Sequence, residues 1–184
     1  MSAVVRQDIL DLTAYEKARP ELRTRIIEEK RLRRVHLGEE LTFLFENHDT
    51  ILYQIQEMLR AERIVQEREI AHEIETYNEL VGGPGELGCA LLIEIVDPEA
   101  RDRKLREWLA LPQHLYVKLA DGRKVRAQFD TRQVGADRLS SVQYMRFDTQ
   151  GQVPVAVGSD LPALTLEQAL SDEQHRALVA DLGE

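Results

Sequence analysis

From Leu87 to Val96 the chain reads Leu-Gly-Cys-Ala-Leu-Leu-Ile-Glu-Ile-Val, apolar at both alternating sets of positions except Glu94. A strand of that composition hides its apolar surface only when both of its faces are covered, so it belongs at the centre of a sheet. The run is half the length of roughly 20 residues that a membrane-spanning helix needs, and no other apolar run approaches that length. The chain of 184 residues is long enough to bury a core around such a strand without staples, and a single domain over residues 1–184 is expected. With 43% hydrophobic and 31% charged residues it reads as soluble and globular rather than disordered.

What flanks the central strand sets the class. Thr13-Ala14-Tyr15-Glu16 has the form of a capping box, and Leu22, Ile26 and Ile27 follow at helical spacing to about Arg33. Pro20 is expected to kink that helix or to mark its true start. Val35 to Leu37 and Leu41 to Phe45 read as two short strands around Gly38-Glu39-Glu40. Two helices come next: one is capped by Asn47 or Asp49 and runs to about Arg63, and one spans about Gln66 to Leu80 with a stripe of Ile70, Ile74, Tyr77 and Val81. Gly82-Gly83-Pro84-Gly85 ends the second and lacks the spacing of a phosphate-cradling loop.

After the central strand, Pro98 to Leu109 is helical, with proline in its first turn. Leu115 to Leu119 and Lys124 to Phe129 alternate around Asp121-Gly122, a hairpin signal. Val142 to Phe147 and Val153 to Val157 are further strands, and Ser171 to Gln174 caps a last helix that stops at Gly183. The class is α+β, with a helical N-terminal half packed on a mostly antiparallel sheet and a helix at the C-terminal end.

Charge and cysteine usage narrow the partners. The net charge of −9 repels nucleic-acid phosphates. One run opposes that balance: Lys17, Arg19, Arg23, Arg25, Lys30, Arg31, Arg33 and Arg34 stand against only Glu21, Glu28 and Glu29. The acids are interleaved at helical spacing and no aromatic residue lies between Lys17 and Arg34, so a salt-bridged helix surface explains the run and no nucleic acid is assigned. The N-terminus has neither the basic start nor the apolar stretch of a secretory signal, which places the protein in the cytoplasm and off the membrane. Cys89 is the only cysteine, so no disulfide forms within the chain, and its apolar setting blunts a thiol.

One helix carries more polar chemistry than a surface helix needs. At 100° per residue, Ile51, Leu52, Ile55, Met58 and Leu59 cover about 120° of one face, the expected buried stripe. Glu62 falls in the middle of that stripe, about 20° from Ile51. It must snorkel out at the helix end, meet a cation such as Arg34 or Arg146, or carry a raised pKa. The opposite face gathers Tyr53, Glu57 and Arg60, with Gln54, Gln56 and Arg63 on its flanks, a surplus that points to a groove, a partner or a polar network. Glu46, His48, Asp49, Glu57, Glu62 and His36 are oxygen and nitrogen donors, but no spacing among them is diagnostic, and no metal or cofactor is assigned. His72-Glu73-Ile74-Glu75 lacks the second histidine of a zinc-protease helix, and Ser140-Ser141 lacks a nucleophile elbow.

Arg33 to Gly38, Leu41 to Thr50 and Tyr53 to Ile64 together resemble the bacterial family catalogued as domain of unknown function 3501 (DUF3501), as do Tyr77-Asn78 and Ser141 to Phe147. The resemblance covers most of the chain. It implies an arginine after Glu46-Asn47, where this chain has His48, largely neutral at pH 7. It also implies a setting in redox or peroxide metabolism, with rubrerythrin-like or iron–sulfur oxidoreductase proteins as partners.

Three functional readings follow. The first is an accessory protein of a cytoplasmic redox or oxidative-stress system that docks a partner or small ligand through the Tyr53-Glu57-Arg60 face and the Glu46–Asp49 turn. The second is an enzyme using Glu57 or Glu62 as general base or metal ligand, with Arg60 holding an anionic substrate. The third is a structural homodimer closed through the basic N-terminal helix. The candidate binding residues are Arg34, Glu46, Asp49, Tyr53, Gln54, Glu57, Arg60, Glu62, Tyr77 and Asn78.

Overall fold

The computed structural model describes residues 2–131 and 134–183. After a 3-10 turn at Arg6–Asp8 come α1 (Leu12–Arg33), β1 (Arg34–Leu37), β2 (Leu41–Glu46), α2 (His48–Ala61), α3 (Glu67–Asn78) and β3 (Glu86–Ile93). Then follow α4 (Pro98–Glu107), α5 (Leu111–His114), β4 (Leu115–Lys118), β5 (Lys124–Arg126), β6 (Val142–Asp148), β7 (Ala156–Leu161), β8 (Leu164–Ala169) and α6 (Asp172–Gly183). The architecture is the expected α+β.

The strands form two antiparallel sheets, β1-β2-β3-β6 and β5-β4-β7-β8. They are stitched together at one edge, where Gln128 and Arg146 exchange both backbone hydrogen bonds at 2.8 Å. At the other edge β1 and β8 approach without a hydrogen-bonded ladder among the described residues, and a Cβ at Gly38 would stand 2.9 Å from Leu166 Cδ1. The two sheets thus wrap one core. Phe43, Phe45 and Phe147 form its aromatic centre, with Phe43 and Phe147 stacked at 6.2 Å, and Leu87, Cys89, Leu91, Trp108, Leu115 and Val157 fill the remainder. Burial pushes the Cys89 thiol well up, which keeps it in the unreactive protonated form.

Strand β3 is central and nearly all buried, as its composition demands. Its second face is covered by the chain between α3 and β3: a Cβ at Gly88 would lie 1.9 Å from the Leu80 carbonyl oxygen, so only glycine admits that crossing. Strand β2 is buried throughout, with α1 over its outer face. A second apolar cluster, Val4, Ile9, Ile51, Ile55, Leu59, Ile70, Ile74 and Val81, joins the N-terminal segment to α2 and α3.

Several expectations change. Helix α1 starts one residue before the Thr13 box, with Asp11 accepting from the Ala14 amide at 2.9 Å. It runs through Pro20 unbroken, because Pro20 and Glu16, whose carbonyl loses its donor, are both on the solvent side. The strand expected at Val153 to Val157 lies further on as β7, and β8 was not foreseen. Its pattern is exposed at every position but one, so no apolar alternation marks it. At the C-terminal end the Ser171–Gln174 box forms as expected, with reciprocal bonds of 2.8 and 3.2 Å.

Candidate functional site

Helix α2 is set by its cap. Asn47 Oδ1 accepts from the Thr50 amide at 3.0 Å and Thr50 Oγ1 accepts from the Asn47 amide at 2.9 Å. Asn47 Nδ2 also reaches Asp181 Oδ1 on α6 at 3.3 Å. The stripe behaves as the period requires: Ile51, Ile55 and Leu59 are buried, while Leu52 and Met58 are half-buried at its margins. Glu62 is exposed as the residue that ends the helix, so it takes the solvent route and meets neither Arg34 nor Arg146. Arg34 stands 3.9 Å from Glu94, and Arg146 stands 3.8 Å from Glu86.

The polar face of α2 is turned to α1. Glu57 accepts from Arg19 Nε and Nη2 at 2.7 and 2.8 Å and from the Tyr15 hydroxyl at 2.7 Å. Arg60 pairs with Glu16 at 2.7 Å and Asp49 with Arg25 at 3.4 Å, so ion pairs run along the whole antiparallel helix contact. The hydrogen bonds and charge of Arg19 hold the Glu57 carboxyl at about 2. Tyr53 is half-buried beside Tyr15 and Arg19, and Gln54 is half-buried on the next flank. His48 stands between Asp8, 3.3 Å away, and Asp49, 3.2 Å away.

Two buried or half-buried amides fix the N-terminal segment by the same device. Gln56 accepts from the Leu10 amide at 2.7 Å and donates to its carbonyl at 3.3 Å. Asn78 accepts from the Val4 amide at 2.9 Å and donates to its carbonyl at 2.8 Å. The basic run of α1 is likewise engaged within the chain: Arg19 and Arg25 pair with α2, Arg31 with Glu28 and Glu173, and Arg33 with Glu29 and Asp181.

Glu46 is the anomaly of the molecule. It ends β2 with 7% of its surface exposed, and its Oε2, like Trp108 Nε1 and Gln143 Oε1, has no hydrogen-bond partner among the described residues. Burial raises its pKa, opposed by the charges of Lys30 and Arg33. Beside it lies the buried Arg33–Asp181 pair, bidentate at 2.8 and 2.7 Å. Tyr144 on β6 lies near both Tyr77 and Glu46, and the register Glu46–Gly88–Arg146 places Glu46 and Tyr144 on the same, outer face of the first sheet.

That neighbourhood borders a cleft of about 540 Å³ lined by Glu79, Leu80, Gln128, Phe129, Asp130, Tyr144, Met145 and Arg146. It lies between the C-terminal end of α3 and β6. On β6, Gln143, Met145 and Phe147 point to the core, and Tyr144 and Arg146 point out. Tyr144 is 39% exposed, a large aromatic left at the mouth of a concavity. None of the sequence candidates lines it, but Tyr77 and Asn78 directly precede Glu79, and Tyr77 and Glu46 lie near Tyr144. Tyr144 and Arg146 were legible as an outward pair in Ser141 to Phe147, but nothing marked Glu79 or Gln128 as their neighbours. Among the described residues no three His, Cys, Asp or Glu side chains gather as a metal site, and no helix is long and apolar enough to cross a membrane.

Comparison with known proteins agrees with this architecture. A crystal structure of a novel protein of unknown function from Burkholderia pseudomallei K96243 superposes with a TM-score of 0.87 at 28% identity, covering 99% of this chain and 98% of that one. No curated protein matches. The family model described as protein of unknown function (DUF3501) matches residues 3–182, and the chain belongs to that family.

Proposed function

We propose that this protein is an accessory, binding component of a cytoplasmic redox or oxidative-stress system, and that it engages its partner or ligand through the α3–β6 cleft. The cleft carries this reading: it is a concavity of about 540 Å³, within the ~300–1,000 Å³ of small-molecule sites, bordered by a partly exposed tyrosine and side chains of both charges. The redox setting, and rubrerythrin-like or iron–sulfur oxidoreductase partners, are supported by the family resemblance.

The enzymatic reading draws less support from the geometry. A carboxylate held at about 2, with both oxygens bonded to Arg19, is a weak base at neutral pH. Glu62 is exposed at a helix end, and Arg60 is closed on Glu16. The homodimer reading also loses its clearest contact, because most arginines of α1 are paired within the chain.

The test is affinity capture from native lysate with the wild-type chain and with Tyr144→Ala, alongside a deletion strain challenged with peroxide. Capture of an oxidoreductase by the wild type but not by the variant, with a peroxide-sensitive deletion strain, is the expected result. No captured oxidoreductase, together with full activity of the rubrerythrin-like and iron–sulfur oxidoreductases in the deletion strain, overturns the reading.

A further inference from the structure

The two walls of the α3–β6 cleft differ in polarity. On the helix side Glu79 directly follows α3, and its carboxylate makes no hydrogen bond or ion pair among the described residues. The C-terminal end of a helix also carries partial negative charge, which adds to that of the carboxylate and favours a cation there. On the strand side Arg146 points outward from β6, half-exposed, and its one ion pair among the described residues, to Glu86 at 3.8 Å, is too long for a good hydrogen bond. The guanidinium therefore retains donors for a second carboxylate. Leu80, Phe129 and the Tyr144 ring supply apolar surface between the walls, and the Gln128 amide and the Asp130 carboxylate complete the lining.

A simple anion in this cleft would meet the Glu79 carboxylate, and a simple cation would meet Arg146. A ligand with both charges a short distance apart satisfies both walls at once. We propose that the α3–β6 cleft binds a small dipolar ligand of the free α-amino-acid class, with its carboxylate on Arg146 and its ammonium on the Glu79 side. The volume is within the ~300–1,000 Å³ range of small-molecule sites and leaves room for a side chain against Tyr144 and Phe129. The inference deepens the proposed binding role of this same cleft. A peptide chain end offers only one of the two charges, which separates it from the free amino acid.

The probe is a panel of the free amino acids added to isotope-labelled full-length protein, with amide shifts followed at residues 79–80, 128–130 and 144–146. Calorimetry is then run on whichever compound shifts them, beside its N-acetyl and methyl-ester analogues. Saturable shifts at millimolar or lower concentration are expected, with affinity about tenfold or more weaker in Arg146→Ala and in Glu79→Gln and for both analogues. Both side chains are at the surface, and unchanged melting curves show that the variants stay folded. The inference fails if no amino acid shifts these amides at concentrations on the order of 10 mM, if both variants bind as the wild type does, or if a blocked analogue binds as well as its parent. Oxidoreductase capture that persists in Arg146→Ala while no amino acid binds overturns this inference alone and leaves the accessory reading standing. Amino-acid binding without any captured oxidoreductase does the reverse.

Discussion

Arg19 of α1 grips Glu57 of α2 with two parallel hydrogen bonds, Nε to Oε1 at 2.7 Å and Nη2 to Oε2 at 2.8 Å, while the Tyr15 hydroxyl donates to Oε1 as well. A bidentate guanidinium–carboxylate pair with a third donor is among the stronger polar contacts a half-buried helix interface can make. The polar surplus of α2 thus has an internal use, clamping the long first helix.

Glu57→Gln should therefore destabilise the fold by about 1–2 kcal/mol at pH 7, since the pair is a quarter exposed and partly screened. The sign with pH follows from a carboxyl lowered from 4.5 to about 2 on folding. Its contribution is fully present above about pH 4.5 and disappears as pH falls through about 2. Chemical denaturation of wild type and variant from pH 7 to pH 2 checks this: the gap between them should close on the acid side. A gap that is constant with pH would show that the charge of Glu57 is not what stabilises the contact.

Asn78 holds Val4 by both backbone groups and so takes the place of a strand neighbour for the N-terminal segment. Asn78→Ala leaves the Val4 amide and carbonyl, which are part-buried, without partners, at a cost of about 1–3 kcal/mol. Hydrogen exchange should show faster exchange over residues 4–10, which rest on the α2–α3 cluster, with little change in β2 and β3. Uniform acceleration across the chain would contradict so local a role.

Gly158 on β7 lies beneath the Tyr116 ring, and a Cβ there would meet Tyr116 Cζ at 2.4 Å. The same ring receives Lys124 Nζ at 4.0 Å from its centroid and donates its hydroxyl to Glu167 at 2.9 Å, forming a lid over the outer face of the second sheet. Gly158→Ala should displace the ring and cost about 1–3 kcal/mol. Its mark is a drop in the Tyr116 pKa, now pushed up to about 12 by burial and by Glu167, followed by ultraviolet titration. An unchanged titration with unchanged stability would mean that the ring and the strand do not constrain each other.

How much of this was legible in sequence depends on the range of the signal. The central position of β3, the α2 stripe and the Ser171 box are local patterns that form as read, and the hairpin at Asp121-Gly122 forms with its second strand ending at Arg126 rather than Phe129. Strand β8 was missed because its side chains are exposed and its place is set by pairing with β7, a relation its own residues do not encode. The partners of Glu57 lie 38 and 42 residues away, so the sequence showed a polar surplus without showing what satisfies it. The α3–β6 cleft is harder still to foresee, since it brings together residues 79–80, 128–130 and 144–146, none of which is unusual in its own segment.

Glu46 offers the sharpest thermodynamic prediction, because its environment acts on pH in the direction opposite to that of Glu57. Burial raises its folded pKa above 4.5, and the charges of Lys30 and Arg33 only oppose that rise. The folded state therefore binds this proton more tightly than the unfolded chain does. Its contribution is most favourable below about pH 4.5 and is lost as pH rises through the elevated folded value, after which it levels off. Glu46→Gln removes the titration while keeping the shape of the side chain. The stability of the wild type relative to this variant should decline with rising pH above about 4.5 and then reach a plateau. Denaturant unfolding of both proteins at matched pH measures that difference directly. Parallel curves from pH 4 to pH 8 would mean that Glu46 ionises in the fold as easily as in the unfolded chain. The unpartnered Oε2 would then have to be satisfied by solvent.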